Sequence, residues 1–248
     1  MNIIYTVSSN NYSHFTVKCL NSFLLNCSTM SNIKFYVLSP HEIQDKVINE
    51  KIVYLNLKKN IPKNVFDLGI KTQCKWLKTK SLDYIPEINI DWLIYSDSDV
   101  LFFKDFSDFL NNKEEDIFHI SYGSNRSKFQ NLERNKYRFC SGFLFFKPKS
   151  FPNILNEWEA KVLERMVTSP KLLDQPSLIE LLREKYYNIC KSIPLDEVSY
   201  KGRRNGVYIT HYINKKYKIF ESNYFDIVLS KNVDGEITNE IMRLSKEI

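Results

Sequence analysis

The chain has 248 residues, 43% hydrophobic and 26% charged, which excludes a disordered or fibrous protein and leaves room for a sizeable core. Its 35 lysines and arginines against 29 acids give a formal charge of +6, which favours anionic partners: nucleotide phosphates, acidic glycolipids or a negatively charged membrane surface. Without a long basic run or a recognisable nucleic-acid-binding module, nucleic acid is not an expected partner. Cys19, Cys27, Cys74, Cys140 and Cys190 are widely spread with no Cys-x-x-Cys pair, as expected for reduced thiols in the cytoplasm. Met1 to Val7 lacks the features of a signal peptide, and no run reaches the ~18 apolar residues of a membrane span. Any membrane role is therefore expected to be peripheral, at the inner face.

Ile3 to Val7 is predicted as a buried strand, followed by the polar turn Ser8-Ser9-Asn10-Asn11. Phe15 to Cys27 carries apolar residues at helical spacing. Ile33 to Leu38 and Lys51 to Leu55 are predicted as the next strands, and this strand-helix-strand alternation argues for a parallel α/β sheet. A helix is expected from about Lys71 to Tyr84, ended by Pro86. Phe143 to Phe146 follows Cys140-Ser141-Gly142 as a further strand. Helices are predicted over Asn153 to Val167 and Ser177 to Tyr187, the second led by Asp174-Gln175-Pro176. Val207 to Thr210 is a short late strand ending at His211. Lys104 to Phe139 has no clear assignment, and no domain boundary is visible, so residues 1–248 are expected to form one domain.

The most informative segment is Trp92 to Phe103, an apolar run interrupted by Asp97-Ser98-Asp99. In an extended backbone the two carboxylates would project to one side. Burying two uncompensated anions costs several kcal/mol each, so a positive partner is expected, and hard divalent cations take carboxylate oxygens. The plain alternative is a strand that has ended, with both acids solvated. Ligands of open α/β sheets bind beyond the carboxyl ends of the strands. Four features fall at such places: Ser8 to Tyr12, Asp97 to Asp99, Cys140 to Gly142, and His211.

In this order and spacing, from about Asn2 to Phe220, these features resemble a GT-A glycosyltransferase, and within that fold glycosyltransferase family 8. The resemblance implies a Rossmann-like α/β domain with a central, mostly parallel mixed sheet flanked by helices. It also implies a nucleotide-sugar-binding half over about 1–103 and an acceptor-binding half over about 104–248. Asp97-Ser98-Asp99 matches the family's Asp-x-Asp, which with His211 would hold Mn²⁺ or Mg²⁺. Val7, Ser9, Asn11 and Tyr12 match the loop that binds base and ribose, although Ser9 stands where relatives often carry an aspartate that reads uracil. A uridine nucleotide is the expected donor base. Lys75 or Lys78 matches the basic residue on the donor, with the whole set Lys71, Lys75, Lys78 and Lys80 as a solvated face in the alternative.

Ser98 would bind the donor, and Ser141 and Gly142 match the segment that touches the donor sugar, with Gly142 letting the backbone approach a ligand closely. Cys140 replaces the usual asparagine of that segment. Asp174 and Gln175 match the pair at the reacting centre, although Asp174 could also be a helix cap. Beyond His211 the family's glycine and lysine are replaced by Asn214 and the run Lys215, Lys216, Tyr217, Lys218. The resemblance implies a metal-dependent, retaining transfer from a nucleotide-diphosphate-sugar to a glycan, glycolipid or protein hydroxyl, in glycolipid or cell-surface polysaccharide synthesis. Two rivals carry their own motivation. Asp97 to Leu101 could be a haloacid-dehalogenase-type phosphatase motif with Asp97 as nucleophile, and Ser9 and Cys140 could mark a nucleotide-sugar-binding module without catalysis.

Overall fold

A computed structural model describes residues 1–27, 29–122, 139–168, 173–200 and 207–211. The strands are β1 (Asn2–Val7), β2 (Ile33–Ser39), β3 (Ile52–Asn56), β4 (Leu93–Ser96), β5 (Val100–Phe102), β6 (Phe118–Tyr122), β7 (Phe139–Phe146), β8 (Cys190–Ile193), β9 (Val198–Tyr200) and β10 (Ile209–His211). The helices are α1 (Ser13–Cys27), α2 (Lys63–Phe66), α3 (Ile70–Leu77), α4 (Ser81–Tyr84), α5 (Ser107–Asn111), α6 (Ile154–Thr168) and α7 (Asp174–Lys185).

Seven strands form one mixed sheet in the order β3-β2-β1-β4-β7-β6-β8. Neighbours are parallel except across β7, which runs antiparallel to both β4 and β6. β1 buries side chains on both faces, as parallel strands covered by helices do. Ile3, Tyr5 and Val7 join one core with Trp76 of α3, Trp158 of α6 and Leu178 of α7. Ile4 faces the other core, with Leu20 and Phe23 of α1, Phe109 of α5 and Phe102 of β5. This is the expected GT-A-type architecture.

Several local expectations are corrected. The apolar run from Trp92 to Phe103 is two strands in different sheets: β4 sits in the large sheet, while β5 pairs antiparallel with β10 in a three-stranded sheet ordered β5-β10-β9. Asp97 to Asp99 is therefore the turn between sheets, not extended strand. The helix expected from Lys71 to Tyr84 is broken into α3 and α4. The buried Tyr5 hydroxyl donates to the Lys78 carbonyl at 2.8 Å, and Thr79 Oγ1 donates to the Trp76 carbonyl at 2.7 Å, so side chains take acceptors that a continuing helix would use. Gly69, at φ 85°, supplies the left-handed turn between α2 and α3.

Cys140-Ser141-Gly142 lies inside β7 rather than before it. Because β7 is antiparallel to β4, its first half still reaches the edge where β4 ends. Ser121 pairs with Cys140 but Ile120 with Leu144, so residues 141 to 143 bulge away from β6. α7 starts at Asp174, three residues before the predicted Ser177, so Asp174 is in its first turn and Leu173 occupies the cap position. Of the unassigned Lys104 to Phe139 stretch, residues 104–122 contain α5 and β6. Asn214 and the run Lys215, Lys216, Tyr217, Lys218 lie outside the described residues, as does most of the rest of that stretch. Among the described residues no helix is long and apolar enough to cross a membrane, and all five cysteines are free thiols.

Candidate active site

β1 and β4 lie side by side and end at the same edge of the sheet. The chain after β1 makes a short 3-10 turn at Asn10–Tyr12 before α1; the chain after β4 makes the acidic turn. Between these turns and α3 lies a cavity of about 610 Å³. Its walls include Val7, Ser9, Asn11 and Tyr12 from the first loop, Lys75 and Lys78 from the end of α3, Asp97, Ser98 and Asp99 from the acidic turn, and Asp174. Ten of the residues expected from sequence therefore share one cleft.

Lys78 is its electrostatic centre. The side chain is only 11% exposed, and Nζ lies 2.9 Å from Asp97 Oδ1 and 2.8 Å from Asp174 Oδ2. The same ammonium stands 4.7 Å from the centre of the Tyr95 ring. Burial opposes its charge, but Asp174 and Asp97 together hold its pKa well above the ordinary lysine value. For Asp97, burial alone would raise the carboxyl; Lys78, His211 and a hydrogen bond from the Tyr95 hydroxyl outweigh it and keep it ionised. Lys75 is farther out, 30% exposed, with Nζ 3.8 Å from Asp174 Oδ1. Lys80 turns away to Glu159 and Asp83. The lysine set is thus divided: Lys71, Lys75 and Lys78 line the cavity, Lys80 does not.

β10 lays His211 opposite Val100, the residue after Asp99. Its Nε2 lies 3.1 Å from Asp99 Oδ1 and 3.5 Å from Asp97 Oδ2. Burial would lower the imidazole pKa, but Asp99 and its neighbours raise it well above the ordinary value. β5, which carries this end of the turn, is pinned beneath α1: Phe102 N–H donates to Ser22 Oγ at 3.1 Å, and Asn26 Nδ2 donates to the Phe102 carbonyl at 3.0 Å. Phe102 also meets Phe23 edge-on, with ring centres 5.6 Å apart; burying such a ring contributes about 1.5–3 kcal/mol.

Asp97, Asp99 and His211 each offer one ligand atom, and these atoms lie within 4.8 Å of one another. Two carboxylate oxygens and one imidazole nitrogen suit a divalent cation such as Mn²⁺, so the donor set fits the ion that the resemblance implies. The acids are neither on one extended strand nor free in solvent.

Ser141, Gly142, Gln175 and His211 do not line the cavity but stand behind it. Ser141 N–H donates to Gln175 Oε1 at 3.3 Å. At Gly142 a Cβ would lie 1.8 Å from His211 Cε1, so the missing side chain makes room for the imidazole. Cys140 likewise turns inward, its Sγ 3.8 Å from His211 Nδ1. Asp174 does not cap α7 with its side chain; its carboxylate is taken up by the lysines. Sequence reasoning missed His14, Phe15, Ile70, Cys74 and Tyr95 as cavity residues. Tyr95 could have been found, because it precedes Asp97 by two residues at the end of β4. Burial pushes the Cys74 thiol up to about 11, so it is a neutral wall.

A mixed sheet of this order, with an acidic turn and a cation-compatible cluster at its edge, is what the resemblance to the GT-A glycosyltransferases implies. Residues 51–238 match the family model of the nucleotide-diphospho-sugar transferases, and the chain belongs to that family. It is a glycosyltransferase, which sets aside the phosphatase reading. The galactosyltransferase LgtC, solved in complex with donor and acceptor sugar analogs, superposes with a TM-score of 0.63 at 13% identity, over 94% of this chain and 98% of its own. The bifunctional glycosyltransferase WbbM gives 0.61 at 13% identity, over 98% of this chain but 51% of its own. GlyE of Streptococcus pneumoniae TIGR4 gives 0.58 at 14% identity, over 92% and 62%. At these identities the likeness is one of fold. No curated protein matches the chain.

Proposed function

We propose that the protein transfers a sugar from a nucleotide-diphosphate-sugar, with UDP as the expected nucleotide, to an acceptor hydroxyl, in a reaction that needs a divalent cation. The observation that carries this reading is the gathering of Asp97 and Asp99, on the wall of a cavity that also presents Lys75 and Lys78, with His211 directly behind them. Val7, Ser9, Asn11 and Tyr12 would receive base and ribose. Ser98, Ser141 and Gly142 belong to the donor-sugar side, and Asp174 and Gln175 to the reacting centre. When bound, Mn²⁺ or Mg²⁺ supplies Lewis-acid charge against the departing diphosphate.

The protein groups account for the rest. As the bond from the anomeric carbon to the diphosphate breaks, negative charge grows on the leaving oxygen, and Lys75 and Lys78 add fixed positive charge near it. Asp174 is paired with both lysines, one through each carboxylate oxygen. That pairing supports a retaining course in which the leaving phosphate oxygen takes the acceptor hydroxyl's proton while the new bond forms on the same face. The acceptor is proposed to be a glycan or glycolipid of the cell surface, met by a cytoplasmic protein at the inner face of a membrane. The overall charge of +6 supports an acidic acceptor or surface.

A donor screen tests the reading. Protein with Mn²⁺, or with EDTA, is incubated with a panel of nucleotide-sugars and release of nucleoside diphosphate is followed. Turnover of one donor, lost with EDTA and in Asp99→Ala, is expected. Silence across the panel together with no metal-dependent nucleotide binding would overturn it.

A further inference from the structure

We propose that Cys140 is a positioning residue of the candidate metal centre, its sulfur receiving the Nδ1–H of His211 and so keeping Nε2 turned toward Asp97 and Asp99. The inference rests on the metal reading above. Three contacts carry it. The imidazole is buried with its Nδ1 edge 3.8 Å from Cys140 Sγ and its Nε2 edge 3.1 Å from Asp99 Oδ1. The ring lies over Gly142, where no side chain could share the space. Cys140 is itself buried, does not line the cavity, and is not one of the three residues whose ligand atoms gather.

The sulfur therefore meets the ligand rather than the cation or the sugar. A histidine that binds through one ring nitrogen is oriented by what the other nitrogen meets. Rotating the ring by half a turn about its Cβ–Cγ bond would put carbon where Nε2 stands. The thiol sulfur is a weak acceptor, so the effect belongs to orientation and affinity, not to folding. Where β7 departs from its register with β6, Cys140 and Gly142 both lie against His211 of β10.

The test is calorimetric titration of Mn²⁺ into the full-length protein and three variants, with the melting temperature of the metal-free form measured for each. Cys140→Val keeps the volume and suits a strand but offers no acceptor. It is expected to melt within a few degrees of the parent while binding Mn²⁺ about tenfold more weakly. Cys140→Asn restores an acceptor and is expected to bind within about threefold of the parent. Cys140→Ala serves in place of the valine variant should that one fail to fold. Parent-like Mn²⁺ affinity in the valine or alanine variant overturns the proposal, as does an equal loss in the asparagine variant. A parent protein that binds no Mn²⁺, like Asp99→Ala, overturns the metal reading itself and the proposal with it.

Discussion

Lys78 joins two carboxylates from distant parts of the chain: its Nζ is 2.8 Å from Asp174 Oδ2 and 2.9 Å from Asp97 Oδ1. This ammonium ties the first turn of α7 to the acidic turn after β4, while Lys75, one helical turn earlier, meets Asp174 at longer range. The two lysines should therefore behave differently. Lys78→Met leaves two partly buried acids without their shared cation and is expected to lower stability by about 1–3 kcal/mol as well as abolish transfer. Lys75→Ala is expected to raise the donor KM with a stability change of about 0–1 kcal/mol. Denaturant melts and donor titrations of both variants check this, and matching profiles would return the pair to one role.

Asp99→Ala removes an acid from a crowded cluster. Transfer and Mn²⁺ binding are expected to be lost, with stability within about 1 kcal/mol of the parent. Calorimetry and a thermal melt on one preparation separate the two effects. Undiminished turnover would dissolve the assignment of Asp97, Asp99 and His211 as ligands.

Gly142→Ala would ordinarily favour a strand. Here the added methyl meets His211 at its Cε1, so the imidazole must leave its place. A loss of about 1–3 kcal/mol is expected, together with weakened Mn²⁺ binding. A melt equal to the parent's would mean that the ring has room elsewhere.

His119 gives the fold an acid-sensitive point away from the site. It is buried on β6, stacks 4.6 Å from Phe145 and donates from Nε2 to the Glu114 carbonyl at 3.3 Å. Burial pushes its pKa down from 6.5 to about 4. Between those values the unfolded chain binds a proton that the folded one refuses, so stability falls as pH drops through this window. The contribution amounts to about 3 kcal/mol, present in full above pH 6.5 and lost by pH 4. His119→Phe is expected to remove this part of the acid loss. Denaturant melts at pH 7.5 and pH 4.5 should show a smaller difference for the variant, and an unchanged difference would exclude His119 as the cause.

The residues of β1, β2, β3 and α1 were legible from their own periodicity, because each reports burial through its immediate neighbours. The division of Trp92 to Phe103 between two sheets was not, since an apolar run does not disclose its strand partner: Phe102 pairs with Ile209. Asp97, Asp99 and His211 were found by order along the chain. Their neighbours Tyr95 and Cys74 were hidden among apolar residues of the strand and helix that carry them. The spacing of Lys75 and Lys78 put them on one helix face but could not say which was deeper, as the Tyr5 hydroxyl stops the helix at Lys78 from another strand. The bond between Gly142 and His211 is one of shape, and shape complementarity between distant residues leaves no local pattern.

Every strand of the seven-stranded sheet lies before residue 194, whereas His211 arrives on β10 of the smaller sheet. A chain growing on the ribosome thus presents Asp97 and Asp99 more than a hundred residues ahead of the imidazole that faces them. Through that interval Lys78 can already neutralise Asp97, and the notch above Gly142 stands open. Synthesis order separates the assembly of the scaffold from the completion of the cation cluster. A product cut short after β8 keeps the strands of the large sheet but lacks the histidine that the proposed cation site requires.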